Sequence, residues 1–378
     1  MTKIMVAAGE VSGDMHAARV IKEINKIKSD LDFYGMGSDF LQEAGVRILL
    51  DPMDISSIGF FEPLKNIQNH LKNLKKMKKS LDKEKPDIVF LVDNSGFNML
   101  LAKAAYKRKI PVINYFSPSA WIWGKWRAKR MAKYRATIAS VFPMEEKVYR
   151  EAGANVVFVG HPLLDIVDIQ ESKEDIYKDL ELDPLRTVIA LMPGSRNQEI
   201  ESLLPIMLET AERIQGERKE CQFVLPLARG ISKERVAKMA AKHRLYIKLV
   251  TDKTYQLMKV ADLAITASGT ATLEAAIIGT PMITVYRINP ATYFLAKRLV
   301  KLQYISLPNI IADRKIVPEL IQDSVNTDQI YANAMSLLNK PYKLKHIRDE
   351  LKYVKEKLGS GGAVKRTAEL ILAKAINN

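Results

Sequence analysis

The amino-acid sequence predicts an α/β protein of two Rossmann-like domains facing across a cleft. Three observations carry this. Short, near-continuous apolar runs alternate with longer segments whose apolar residues recur every three or four positions, as parallel strands covered on both faces by helices require. The alternation comes in two series, separated by Asp165–Asp183, where eight acids meet two lysines. The 378 residues also suffice for about two domains of ordinary size.

In chain order, the first series places strands at Ile4–Ala8, Phe33–Tyr34, Ile88–Val92, Val112–Tyr115, Ile138–Val141 and Val156–Val159, with helical patterns such as Met15–Lys28 and Leu64–Leu81 between them. The second places strands at Val188–Met192, Phe223–Leu225, Ile247–Val250, Leu263–Thr266 and Ile283–Val285. From Tyr342 onward the pattern is helical, broken at Gly359–Gly362. The expected domains are 1–164, 165–341 and one or two C-terminal helices, 342–378, packing back on the first domain.

Composition narrows the function classes. A hydrophobic fraction of 47% excludes a disordered or fibrous chain, and the single cysteine, Cys221, excludes a disulfide scaffold and a cysteine zinc site. The five histidines show no metal-ligand spacing. The first residues lack the long apolar core of a signal peptide, and no segment reaches the ~18–20 apolar residues of a membrane span. The chain is therefore expected to be soluble, or held to a membrane from outside.

The net charge of +15 is concentrated. Lys65–Lys85 carries +6, Lys125–Arg135 another +6 and Tyr286–Gln303 +4, which leaves the remainder near neutral. Each stretch also has apolar or aromatic residues in helical register or beside it, among them Leu71, Leu74 and Met77, then Trp121, Trp123 and Trp126, then Phe294 and Leu299. Basic amphipathic helices of this kind suit an anionic membrane surface; the alternative for each is an ordinary helix with a solvated lysine face. No nucleic-acid module accompanies the charge, so nucleic acid is not an expected partner.

Chemistry-bearing residues gather at predicted strand ends, where doubly wound domains bind ligands. The first strand runs into Gly9-Glu10-Val11-Ser12-Gly13-Asp14. This loop fits sugar hydroxyls better than a diphosphate because it is acidic, and it also reads as a tight turn with Ser12 or Asp14 capping a helix. Asp93, in Val92-Asp-Asn-Ser-Gly-Phe-Asn98, ends another strand and is a candidate general base or a loop cap. In the second series, Pro193-Gly194-Ser195-Arg196 joins strand to helix and offers amides, a helix dipole and a guanidinium to phosphate. Ser268-Gly269-Thr270 is a second such turn, with Glu274 one helical turn on, placed for ribose hydroxyls. Neither is a P-loop. Asp30-Leu31-Asp32 reads as a solvated loop and His161 as a structural residue where the chain leaves the first domain.

These motifs carry a resemblance. AGEVSGDMHAA (8–18), VDNSGFN (92–98), YFSPSAWIW (115–123), FPMEE (142–146), FVGHPL (158–163), LMPGSRNQEI (191–200), SGTATLEAA (268–276) and LAKRLVKLQYISLPNIIA (295–312) occur in this order. Together they resemble the lipid-A-disaccharide synthase family of inverting glycosyltransferases with the GT-B fold. The resemblance implies a UDP-2,3-diacylglucosamine donor and an acylated phosphosugar acceptor, 2,3-diacylglucosamine 1-phosphate. The product would be a β-1,6-linked disaccharide 1-phosphate, made without metal or cofactor at the cytoplasmic face of the inner membrane; the resemblance also admits a homodimer. It implies catalytic roles for Asp93, Glu10 and Ser12. UDP contacts are implied at Gly194, Ser195, Arg196, Ser268, Gly269, Thr270 and Glu274, and substrate contacts at Asn309 and Asp14. Many members have a second Asp where this chain has Gly96, which leaves Asp93 as the only base candidate in its loop; Met144 replaces a more usual Phe. The competing expectation is another GT-B enzyme acting on UDP-N-acetylglucosamine, a membrane-lipid transferase or a 2-epimerase.

Overall fold

In a computed structural model of the chain, the described residues are 2–52, 63–117, 119–122, 124–290, 293, 294, 298 and 303–376. Half of the basic stretch from 286 to 303 lies outside them. The chain forms two compact units: Met1–Asp165 with Leu358–Asn378, and Ile166–Lys357.

The first unit is a seven-stranded parallel sheet of β1 (Thr2–Ala8), β2 (Leu31–Met36), β3 (Arg47–Leu50), β4 (Ile88–Val92), β5 (Val112–Tyr115), β6 (Thr137–Ser140) and β7 (Asn155–Phe158), in the order β3-β2-β1-β4-β5-β6-β7. The central strands are continuous apolar runs because both faces are covered: Ile88–Val92 is buried throughout. One face packs against α1 (Val11–Ile27) and α2 (Asp39–Glu43). The other packs against α3 (Pro63–Glu84), α4 (Ser95–Lys107), α5 (Trp126–Lys133) and α6 (Pro143–Glu151), with Met77, Leu81, Leu101, Met131 and Tyr149 in its core.

A single turn, α7 (Leu163–Ile166), leads into the second unit. Its six-stranded parallel sheet comprises β8 (Thr187–Met192), β9 (Cys221–Leu227), β10 (Ile247–Thr251), β11 (Leu263–Ala267), β12 (Met282–Tyr286) and β13 (Glu319–Ile321), ordered β10-β9-β8-β11-β12-β13. Its helices with described bounds include α8 (Lys173–Asp179), α9 (Asn197–Glu217), α10 (Lys233–Ala240), α11 (Thr254–Val260), α12 (Thr270–Ile278), α13 (Leu307–Ala312), α14 (Thr327–Leu338) and α15 (Pro341–Lys357). The edge strands β3 and β13 lack a sequence signal: one is half-exposed, and the other is three residues long and follows Pro318.

The C-terminal residues divide. α15 packs on α12, α13 and α14 in the second unit, which corrects the expectation that all of 342–378 joins the first. Only α16 (Ala363–Ile376) returns, burying Ala368, Ile371, Leu372 and Ala375 beside α1. The return is clasped by hydrogen bonds. His161 N donates to Leu358 O at 3.0 Å, Val364 N donates to Asp165 Oδ2 at 3.2 Å, and Arg366 donates to Val159 O at 2.7 and 2.9 Å.

Charge is divided between the faces of the first sheet. α3, α4, α5 and α6 hold 15 Lys and Arg against 5 Asp and Glu, whereas α1, α2 and α16 hold 6 against 5. The two basic stretches of this unit therefore share one layer.

Candidate active site

Each sheet reverses its strand order once: between β1 and β4 in the first unit and between β8 and β11 in the second. Such a switch point opens a crevice at the strands' carboxyl ends. The sequence candidates divide between these two places.

In the first unit β1 and β4 pair with Ala8 opposite Val92, so the loops that follow them are neighbours. Ser12 Oγ donates to Asp93 Oδ2 at 3.5 Å. The glycines here serve contact between the two loops: a Cβ on Gly9 would lie 2.0 Å from Asn94 Nδ2, and one on Gly13 3.2 Å from Asp93 Cβ. Asp93 and Asn94 both adopt the left-handed conformation, with φ of 55° and 40°, which costs non-glycine residues about 1–3 kcal/mol each and concentrates at functional sites. Asn98 holds the loop in that shape. It is fully buried, and its Nδ2 donates to Asp93 O at 2.7 Å and to Val92 O at 3.1 Å.

Burial pushes the Asp93 carboxyl above the usual carboxylate range, against the lowering effect of the Asn94 amide and the Ser12 hydroxyl. A carboxylate shifted upward at a strand end suits proton abstraction. Gly96, in the first turn of α4 just after this loop, is exposed and faces open space, so no second carboxylate stands there. Glu10, exposed, is the N-cap residue of α1.

Asp14 is not at the site. It is 1% exposed, and its carboxylate accepts hydrogen bonds from Ser38 N and Ser38 Oγ, each at 2.8 Å, and from Phe40 N at 3.1 Å. It therefore caps α2, and both its expected substrate contact and its expected role as a cap of α1 are corrected.

Beyond Asp93, a row of rings crosses the strand ends: His16 stacks on Phe116 at 4.5 Å, Phe116 meets His161 at 5.9 Å, and His161 meets Phe142 at 4.8 Å. Burial lowers the imidazole pKa values to about 4 for His16 and about 3 for His161, so both rings are neutral near pH 7. Beside them Glu145, fully buried, accepts from Val141 N at 2.9 Å, and burial pushes its carboxyl up to about 7.

In the second unit β8 and β11 pair with Met192 opposite Thr266, which places the Gly194–Arg196 and Ser268–Thr270 turns side by side. Arg196 is the N-cap residue of α9 and its side chain is 82% exposed. The amides of Ser195 and Arg196 are already taken: both donate to Glu199 Oε2, at 2.9 and 3.2 Å. The expected backbone cradle for phosphate in this turn is therefore corrected, since a carboxylate fills it; the guanidinium alone faces outward.

The neighbouring turn differs. Gly269 is the N-cap residue of α12 and has no side chain to cap it, and a Cβ on Gly269 would meet open space among the described residues. The Ser268 hydroxyl donates to Ile305 O at 3.2 Å and so fastens the turn to the segment before α13. Glu274 accepts from the Tyr255 hydroxyl at 2.9 Å, while burial raises its carboxyl above the usual range. Tyr255, on α11, carries no sequence signal of this role.

Asn309 is not a lining residue. It is fully buried; Nδ2 donates to Val317 O at 3.0 Å and Glu319 Oε1 at 2.7 Å, and Oδ1 accepts from Ile316 N at 2.8 Å and Val317 N at 3.0 Å. Its expected substrate contact is corrected to a structural one: it ties α13 to β13 through Glu319, which also accepts from Ser306 N at 2.8 Å.

The chain matches known proteins over nearly its whole length. The family profile described as lipid-A-disaccharide synthetase covers residues 4–374. A protein named lipid-A-disaccharide synthase from Geobacter sulfurreducens is 38% identical over 98% of this chain and 96% of its own length. One of the same name from Persephonella marina is 35% identical over 98% of each. Among solved structures, the UDP-GlcNAc 2-epimerase of Neisseria meningitidis bound to UDP-GlcNAc aligns over 98% of this chain and 100% of its own, with a TM-score of 0.66 and 14% identity. MurG of Acinetobacter baumannii aligns over 98% and 99%, with a TM-score of 0.61 and 14% identity. At such identities these structures speak for the GT-B fold alone, so the epimerase likeness does not favour the competing expectation. The full-length relatives decide the matter: this chain belongs to the lipid-A-disaccharide synthase family of glycosyltransferases.

Proposed function

We propose that the chain transfers 2,3-diacylglucosamine from its UDP derivative to the 6-hydroxyl of 2,3-diacylglucosamine 1-phosphate. The observation that carries the residue roles is the division of candidates between two switch points, a raised carboxylate at one and an exposed arginine beside an uncapped helix N-terminus at the other. In this reading Asp93 takes the acceptor's hydroxyl proton as the oxygen attacks the anomeric carbon. The bond from that carbon to the diphosphate oxygen breaks with inversion, and UDP leaves. Arg196 and the N-terminus of α12, with Gly269 and Thr270, offset the charge that grows on the diphosphate. Glu274, oriented by Tyr255, accepts from ribose hydroxyls, and Glu10 and Ser12 meet sugar hydroxyls. Mass spectrometry after incubation with both acylated substrates in detergent is expected to show a tetraacyl disaccharide 1-phosphate and UDP. UDP binding without that product would overturn the acceptor assignment and keep the donor.

The same reading has the protein take its acylated substrates at an anionic membrane surface on the cytoplasmic side of the inner membrane. No helix among the described residues is long and apolar enough to cross a membrane. Support comes from the layer of α3 to α6, where Leu71 is 59% exposed on α3 and Trp126 is 47% exposed on α5 under the Arg130 guanidinium, 4.4 Å away. Basic residues near such a surface contribute about 1 kcal/mol each. Reversing Lys129 and Arg130 to Glu should therefore weaken sedimentation with phosphatidylglycerol vesicles by about tenfold or more, and high salt should do the same to the unaltered protein. Equal binding by the variant would remove α5 from the contact.

A further inference from the structure

The turn between β8 and α9 holds a carboxylate where an anion would be expected. Glu199, on the first turn of α9, folds back so that Oε2 accepts from the Ser195 and Arg196 amides, at 2.9 and 3.2 Å, while Oε1 lies 3.4 Å from Arg196 Nη1. Gly194 makes room for it. Its φ is +115°, and a Cβ there would stand 2.1 Å from Glu199 Oε2 and 2.8 Å from Glu199 Cβ. The glycine of this turn thus admits a side chain of the same turn rather than a ligand.

Two consequences follow from elementary electrostatics. A carboxylate on these amides repels phosphate from them and puts its own negative charge just before the helix N-terminus. The same carboxylate draws the Arg196 guanidinium, otherwise a long and exposed side chain, toward the mouth of the turn. Among the described residues the adjacent helix α12 has no such cap. The two neighbouring strand ends are therefore unlike, one closed by an acid and armed with a guanidinium, the other open at its amides.

We infer that Glu199 is a positioning residue for the donor. It closes the backbone of the Gly194–Arg196 turn to phosphate and aims Arg196, so that the diphosphate is met by the Arg196 side chain and the α12 amides. This rests on the reading of Arg196 as a diphosphate contact. Because Glu199 acts through Arg196, its effect should vanish when Arg196 is removed.

The test is a double-mutant cycle read by calorimetric titration of the full-length protein with UDP. An exposed ion pair at this distance is weak. Glu199→Ala should accordingly weaken UDP binding only about fivefold, and Arg196→Ala should weaken it more. Glu199→Ala added to Arg196→Ala should cause no further loss. Glu199→Gln, which keeps an oxygen for the amides but loses the charge, should fall between Glu199→Ala and the unaltered protein, and it serves as the variant if Glu199→Ala unfolds. Additive losses would overturn the inference, because Glu199 would then be only a cap. Tighter binding in Glu199→Ala alone would also overturn it, by showing that Arg196 meets the donor without a carboxylate to aim it. Unchanged UDP affinity in Arg196→Ala would instead remove the reading on which the inference rests.

Discussion

Asp93→Asn should abolish turnover, lowering kcat by about a thousandfold or more, while UDP affinity and the unfolding midpoint stay close to those of the unaltered protein. Asparagine is isosteric, so it can still accept from Asn94 N, which donates to Asp93 Oδ1 at 2.9 Å, and from Ser12. It cannot take the proton of an attacking hydroxyl. No second acid of the loop can substitute, because position 96 is glycine. The pH dependence gives an independent reading. Burial raises the Asp93 pKa, so the active carboxylate is lost as pH falls through that raised value. The acid limb of kcat/KM should then lie above the range of an ordinary exposed aspartate, ~3.9. The small residual rate of Asp93→Asn should lack this limb. Substantial turnover in Asp93→Asn, or an acid limb that persists in it, would assign the proton transfer elsewhere.

Asn309→Ala should act through stability instead. The substitution removes hydrogen bonds to Ile316 N, Val317 N and Val317 O, which are buried, and to Glu319 Oε1, which is part-buried. Stranding such groups costs about 3–5 kcal/mol in total. The urea midpoint should fall sharply, and whatever fraction stays folded should bind UDP nearly as before. The opposite pattern, an unmoved midpoint with a raised donor or acceptor KM, would return Asn309 to the substrate. Glu319 makes the comparison informative. It keeps its bonds to Ile305 N and Ser306 N when Asn309 is cut back, so the segment that fastens Ser268 is not lost outright.

Much of this architecture is legible in the sequence, for a physical reason. Parallel strands covered on both faces are unbroken apolar runs, and Ile4–Ala8, Ile88–Val92 and Leu263–Thr266 stand out as such. Once the runs are placed, so are their carboxyl ends, and Asp93, Arg196 and Glu274 lie just beyond them or one turn into the following helix. The direction of a side chain is harder to read. Asp14 lies four residues from Glu10 in one motif, yet it turns inward to cap a helix that begins at residue 39. Asn309 sits beside a proline in a motif-like stretch and is satisfied by residues seven to ten positions away. Glu199 had a signal, an acid three residues after an N-cap, and Tyr255 had none, because its partner is nineteen residues downstream.

The return of α16 bears on the order in which the protein can fold during synthesis. The first unit begins the chain but lacks its last helix until residue 376 has been made. Until then the face of its sheet that Ala368, Ile371 and Leu372 share is covered only by α1 and α2. The second unit, uninterrupted from Ile166 to Lys357, is complete before that helix emerges from the ribosome. A premature stop that deletes only α16 would therefore harm the part of the protein translated first and spare the part translated last.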